Sequence, residues 1–172
     1  MNNPILKIKK GFSIVEALVA ISIVSLAITS ATAVVQGSLQ NSQITRFRIQ
    51  SIHFANEAVE FARNLRDTDI VSRDGFNGGL LKDFVNKCKN GNGCYVDVLN
   101  DNYDDCNYVI KCDIYISENG YTSDNTETKT PFNRRVIVGD NGDEISVTVD
   151  VSFSVRDYNE TVSVTSYLMN HE

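Results

Sequence analysis

The sequence predicts an α+β protein in which a long N-terminal helix packs against a C-terminal antiparallel β-sheet. Three observations predict it. A nearly uncharged apolar run covers Ile14 to Val35, an amphipathic helical pattern follows it, and the last third alternates between apolar and polar residues. The first half of the helix reads as membrane-spanning and the second as amphipathic, with one face committed to packing.

Between Ile14 and Val35 the only charge is Glu16, and the remaining residues are Ala, Ile, Val, Leu, Ser and Thr. Coiled as a helix, this run spans about 33 Å, enough to cross a hydrocarbon core. Lys7, Lys9 and Lys10 precede it, which places the N-terminus in the cytoplasm and the rest of the chain outside. A cleaved secretory signal fits less well, because the run is too long and no small-x-small processing site follows it. Its many small residues, among them Ala17, Ala20, Ser22, Ser25 and Ala27, suit helix association in lipid or in a filament core.

The helical pattern continues past the apolar run. Phe47, Ser51, Phe54, Ala58, Phe61 and Leu65 step by four and three, and Ala55 and Ala62 widen the stripe. No proline interrupts residues 14–68, and only Gly37 weakens them. One helix of about 50 residues, roughly 75 Å long, is therefore expected. Such a length suits a helix half of which belongs in lipid or in a bundle of its own kind.

Residues 67–93 are rich in turn formers around a short apolar island at Leu80, Leu81, Phe84 and Val85, which predicts a brief helix. Strands are expected at 94–99 and 107–116, and a loop at 117–131. The clearest sheet signal is Phe132–Val138, Ile145–Arg156 and Thr161–Leu168, joined by the turns Asp140–Asp143 and Asp157–Glu160. Val147, Val149, Val151, Phe153 and Val155 share one face of the middle strand, so one side of the sheet is buried and the other wet. The apolar stripe of the 47–65 helix is the natural partner for that buried face.

The chain of 172 residues carries 16 basic and 22 acidic side chains. Setting aside the three early lysines leaves a charge of about −9, which repels nucleic acid phosphates. After residue 11 no Lys/Arg cluster exceeds the pair Arg134-Arg135, read as the charged outer face of a strand. Nucleic acid is not an expected partner.

All four cysteines, Cys88, Cys94, Cys106 and Cys112, lie in one short stretch. Their even number behind an export-like N-terminus points to two disulfides. Zinc is disfavoured because each close pair encloses five residues, where structural sites use two to four, and no histidine is near. The Asn/Gly-rich 89–93 loop favours closing Cys88 onto Cys94. A nested pattern, Cys94 with Cys106 and Cys88 with Cys112, stays open.

Nothing assembles an enzyme, and no metal or cofactor is implied. His53, expected at the edge of the helix packing face, and His171 are far apart, and no serine or cysteine sits in a nucleophile motif. The acidic runs Asp101–Asp105 and Asp140–Glu144 lack an EF-hand pattern and read as solvated turns. Tyr95, Tyr103, Tyr121 and Tyr158 lie in or near turns, where exposure is expected.

The string Lys9-Lys10-Gly11-Phe12-Ser13-Ile14-Val15-Glu16 and the apolar run behind it resemble the type III signal and N-terminal helix of type IV pilins and pseudopilins. The resemblance implies a leader at 1–11, a membrane or filament-core segment at 12–36 and an extracytoplasmic α+β domain at 37–172. It implies cleavage by a prepilin peptidase between Gly11 and Phe12, N-methylation of Phe12, and an assembly role for Glu16. The implied partners are other pilin-like subunits, that peptidase, an inner-membrane assembly platform, and lipid before assembly. Cys94-Tyr95-Val96-Asp97 and the Phe132–Val138 pattern are similar to minor, PilV-like subunits. Many major pilins have a proline near mature position 22, where this chain has Ala33; Gly37 is then the available flexible point.

Physically, a carboxylate in hydrocarbon must be paired. Cleavage after Gly11 would create an α-amino group one helical turn from Glu16, which could pair within the chain or with a neighbour. The bland alternative leaves Glu16 at the headgroup level of an ordinary anchor. The function implied is a structural subunit of a type IV pilus-like filament, of minor-pilin type, ending on the pilus or cell surface. Its alternatives are a pseudopilin of a type II secretion or DNA-uptake system, and a membrane-anchored binding module that never polymerises.

Overall fold

The computed structural model describes residue 11 and residues 13–72, 75–76, 79–89, 91–106, 112–142 and 144–169. The long helix α1 covers Ile14–Ser72, and α2 covers Gly79–Cys88. Seven strands follow: β1 Cys94–Asp97, β2 Asn102–Asp105, β3 Asp113–Ser117, β4 Gly120–Thr122, β5 Thr128–Asp140, β6 Glu144–Val155 and β7 Tyr158–Met169. The chain forms two units, Met1–Gln43 and Ile44–Glu172.

In the second unit the amphipathic half of α1, from Ile44 on, packs against a C-terminal antiparallel sheet. Strand β5 is the hub of that sheet. It pairs with β6 from Phe132 to Asp140, and β6 pairs with β7 along its full length. On its other side β5 meets β3 near its start and touches β1 where Cys94 faces Val136. The loop expected at 117–131 instead holds β4 and the first residues of β5. Pro131 fits within β5 because the β3 register shifts there, so the ladder does not need its missing N–H. The strand expected over 107–116 is described only from Asp113, and its earlier residues lie outside the described residues.

The alternation read along β6 is the burial pattern observed. Val147, Val149, Val151 and Phe153 are buried, while Ser146, Thr148, Asp150 and Ser152 are half-buried. The facing stripe on α1 is also as read: Ser51, Phe54, Ala55, Ala58, Phe61, Ala62 and Leu65 are buried, joined by Val59 and Asp69. Alanines at the contact let helix and sheet backbones approach, and phenylalanines fill the ends of the interface. Phe47 meets Phe132 tilted and Phe54 meets it edge-on, each with ring centroids 5.2 Å apart, and Phe61 meets Phe84 and Tyr103. His53, by contrast, is exposed. It follows the buried phase at Ser51 and precedes that at Phe54, so the helix turns it outward.

Helix α1 ends several residues later than the sequence pattern suggested, and the reason is Asp69. Its carboxylate accepts the backbone N–H groups of Leu80 and Leu81, at 3.0 and 2.7 Å, and is itself buried. These are among the unpaired donors at the start of α2, so the last turns of α1 cap the next helix from outside. Leu81, Phe84 and Val85 then bury the apolar side of α2, and Leu80 stays exposed.

Both disulfides join the nearer cysteines, Cys88–Cys94 and Cys106–Cys112, with Cα atoms 4.8 and 5.5 Å apart. The first ties α2 to β1. Gly93 makes the approach possible: its φ is +68°, and a Cβ there would lie 2.7 Å from the Val136 carbonyl oxygen. The nested pairing does not occur: in the β1–β2 hairpin Cys94 lies opposite Asp105, so Cys94 and Cys106 fall on opposite faces.

Candidate functional site

The helix half Ile14–Gln43 presents apolar side chains on every side. Ile14 is 80% exposed and Leu26 72%, and Leu18, Ile21, Ile28, Val34 and Leu39 are all open. The apolar run within it, Ile14–Val35, contains five hydroxyls that would be costly in hydrocarbon if left unpaired. They are satisfied within the helix. Ser22, Ser25, Thr29 and Thr32 donate to carbonyls four residues back at 2.7–2.8 Å, and Ser30 to Ala27 three residues back at 3.0 Å. From Ala17 to Val35 the segment therefore offers a neighbour or a lipid chain apolar surface and hydroxyls already bonded to their own helix.

Ser13 marks the start of the helix, its carbonyl accepting the Ala17 N–H at 3.1 Å. Glu16 lies in the first turn and is exposed. There its charge complements the helix dipole, independently of any partner. Ser13 and Glu16 also stand at the two defining positions of a capping box, a signal legible in the sequence that the periodicity reading passes over. Gly11 is exposed with open space around its Cα. Phe12 lies outside the described residues. Gly37 is helical, and a Cβ there would meet nothing.

The polar chemistry of the second unit serves its architecture. Arg134 is not on an outer face: it is buried beneath α1, where its guanidinium donates to the Glu57 carboxylate at 2.6 Å. It also donates to the carbonyls of Phe54, at 3.1 Å, and Val96. Burial pulls its pKa down while Glu57 opposes the shift, and a guanidinium keeps its charge regardless. The phase of β5 carried this signal, since Arg134 alternates with the buried Phe132, Val136 and Val138. Arg135 points to the wet side and pairs with Asp150 at 3.1 Å.

Asp97, at the end of β1, accepts Thr122 Oγ1 at 2.6 Å, the Ser123 N–H at 2.9 Å and two donors of Asn100 at 3.1 Å. Burial pushes its carboxyl up, but these hydrogen bonds outweigh it and hold the pKa below the usual range. The acidic run Asp101–Asp105 is not simply a turn. Its last four residues, Asn102–Asp105, form β2, whose Tyr103 is buried. Tyr103 donates to the Leu80 carbonyl and the Asp83 carboxylate, and burial with the Asp83 bond pushes its pKa up to about 12. Tyr95 is likewise buried, whereas Tyr121 and Tyr158 are exposed. Among the described residues no group of three His, Cys, Asp or Glu could hold a metal ion.

The arrangement is that of a pilin-like α+β protein: a long apolar N-terminal helix, an antiparallel C-terminal sheet and two disulfides. Residues 6–32 match the family model described as the prokaryotic N-terminal methylation motif, which is typical of type IV pilin-like proteins. The match spans the lysines, Gly11, Phe12, Glu16 and most of the apolar run, and it does not reach Cys94–Asp97 or Phe132–Val138. Comparison with the curated proteins finds no match, nor does comparison with solved structures. Within the described residues one helix is long and apolar enough to cross a membrane, near the N-terminus.

Proposed function

We propose that this chain is a minor subunit of a type IV pilus-like filament. In this reading a prepilin peptidase cuts between Gly11 and Phe12, Phe12 is N-methylated, and the apolar helix leaves lipid to bundle with the helices of other subunits. The observation that carries the reading is the methylation motif running directly into a helix half whose apolar side chains lack cover. So much exposed apolar surface is stable only in lipid or against other apolar helices.

Glu16 supplies the register. Inside a bundle its carboxylate is expensive unless it meets a cation, and the α-amino group of an incoming subunit is the cation that cleavage creates. The disulfide-tied domain outside the membrane would then form the filament surface. The assembly platform of the inner membrane is the expected partner during this transfer.

Mass spectrometry of the mature N-terminus tests the processing step. The expected result is a chain beginning at methylated Phe12; residues 1–11 still attached in protein from its own cells would sink the reading. Replacing Glu16 with alanine should leave membrane insertion intact and abolish incorporation into sheared filaments. Unchanged incorporation would remove the pairing mechanism.

A further inference from the structure

The hairpin joining β6 to β7 carries a chemical signature that assembly does not use. Its sequence is Asp157-Tyr158-Asn159-Glu160-Thr161. Asn159 and Thr161 stand two apart with a residue other than proline between them, the spacing of an N-linked glycan acceptor. Asp157 lies two residues upstream, at the tip of the turn.

The structure presents these residues in the right way. Val155 pairs with Tyr158, so Arg156 and Asp157 form the tip of the turn, and Arg156 takes a φ of +55°. Along β7 the side chains alternate. Glu160 points to one side and is held there by Arg48, at 2.8 and 3.0 Å, and by the Tyr158 hydroxyl at 3.0 Å. Asn159 and Thr161 point to the other side, and they and Asp157 are exposed. The Asn159 side chain opens onto a surface depression lined by Pro131, Asn133 and Ser152, which leaves space for a first sugar residue. Glu160 is thus anchored on one side, while on the other Asn159 is open and the Thr161 hydroxyl shares a hydrogen bond with Ser152 Oγ at 3.1 Å.

We infer that Asn159 is a site of N-linked glycosylation, modified outside the membrane from a polyprenyl-pyrophosphate-linked oligosaccharide. The amide nitrogen of Asn159 bonds to the anomeric carbon, the bond from that carbon to pyrophosphate breaks, and the lipid pyrophosphate departs. One amide proton passes to a base of the transferase, and nothing is oxidised or reduced. A glycan here stands at the start of β7, which pairs only with β6 among the described residues and contains neither lysine nor proline. Bulk at that point discourages pairing with a strand of another molecule.

The inference rests on the proposed placement of this domain outside the membrane, so the test reads both. Full-length protein is taken from the membranes of its own cells, alkylated at once and analysed by peptide mass spectrometry. The expected result is a glycan mass on the Asn159 peptide together with oxidised cysteines. Asn159→Gln should remove the glycan, Thr161→Val should remove most of it, and Thr161→Ser should retain it. Bare Asn159 in protein with both disulfides formed would overturn the inference alone. Fully reduced cysteines would overturn the placement and the inference with it.

Discussion

The guanidinium of Arg134, in the middle of β5, lies 2.6 Å from the carboxylate of Glu57 on α1 and is almost wholly buried beneath that helix. One charge is inside and its partner is at the boundary: the Arg134 side chain is 7% exposed and that of Glu57 39%. The pair fixes the registry of helix on sheet, because the same guanidinium also bonds the Phe54 and Val96 carbonyls. Arg134→Met strands two carbonyls and is expected to lower the unfolding free energy by about 3 kcal/mol. Glu57→Gln keeps an accepting oxygen at the boundary and should cost less. Urea unfolding of the detergent-solubilised chain measures both, and equal small effects would show that the contact adds no stability.

Ser51 gives the opposite sign. Its hydroxyl is buried against the sheet with no hydrogen-bond partner among the described residues. Ser51→Ala removes an unpaired polar group without opening a cavity, so stability should rise by about 1 kcal/mol. A loss in the same unfolding measurement would mean that the hydroxyl has a partner, such as a bound water.

Asp69 closes α1 onto α2. Replacing it with alanine removes acceptors from the Leu80 and Leu81 N–H groups, for an expected cost of about 2 kcal/mol. Hydrogen exchange locates the effect. The Leu80 and Leu81 amides should lose protection in Asp69→Ala while amides in the middle of β6 keep theirs. Uniform loss throughout the domain would argue against a local cap.

Tyr103 predicts an alkaline weakness. Its folded pKa of about 12 lies above the ordinary value near 10, so the folded state holds the phenolic proton more tightly than the unfolded one. The resulting stability is fully present below pH 10 and is lost as the pH climbs toward 12. Burial also raises the Tyr95 phenol, so ultraviolet titration should reveal a late-ionising component near pH 12 that is lost in Tyr103→Phe while the Tyr95 contribution remains. The variant should also lose less stability between those pH values than the parent. A parent curve with every tyrosine ionising near pH 10 would refute the assignment.

Much of the fold was legible because hydrophobic periodicity reports burial. The step of four and three from Phe47 to Leu65 named the packing face of α1, and the valines of β6 named the core face of the sheet. The same rule, carried further, would have placed Arg134 inside, since it shares the phase of Phe132 and Val136. Assuming that an arginine pair belongs on a surface obscured that signal. Tyr103 was hidden differently: four acidic or amide neighbours make its segment read as a turn, and only pairing with β1 makes it a strand. For the candidate site, Glu16 and Gly11 stood out only through the resemblance of the motif that contains them, and the self-bonded hydroxyls of the apolar helix needed coordinates to be seen.

By itself the sequence determined the apolar helix, the alternating strands and the motif at their head, because these are one-dimensional patterns set by local geometry and transfer free energy. Only the tertiary structure decided that Asp69 caps a helix other than its own and that Arg134 lies under α1 with Glu57. Each of those depends on which distant segments meet. Meeting is settled by packing the whole interface at once, so no local pattern along the chain encodes it.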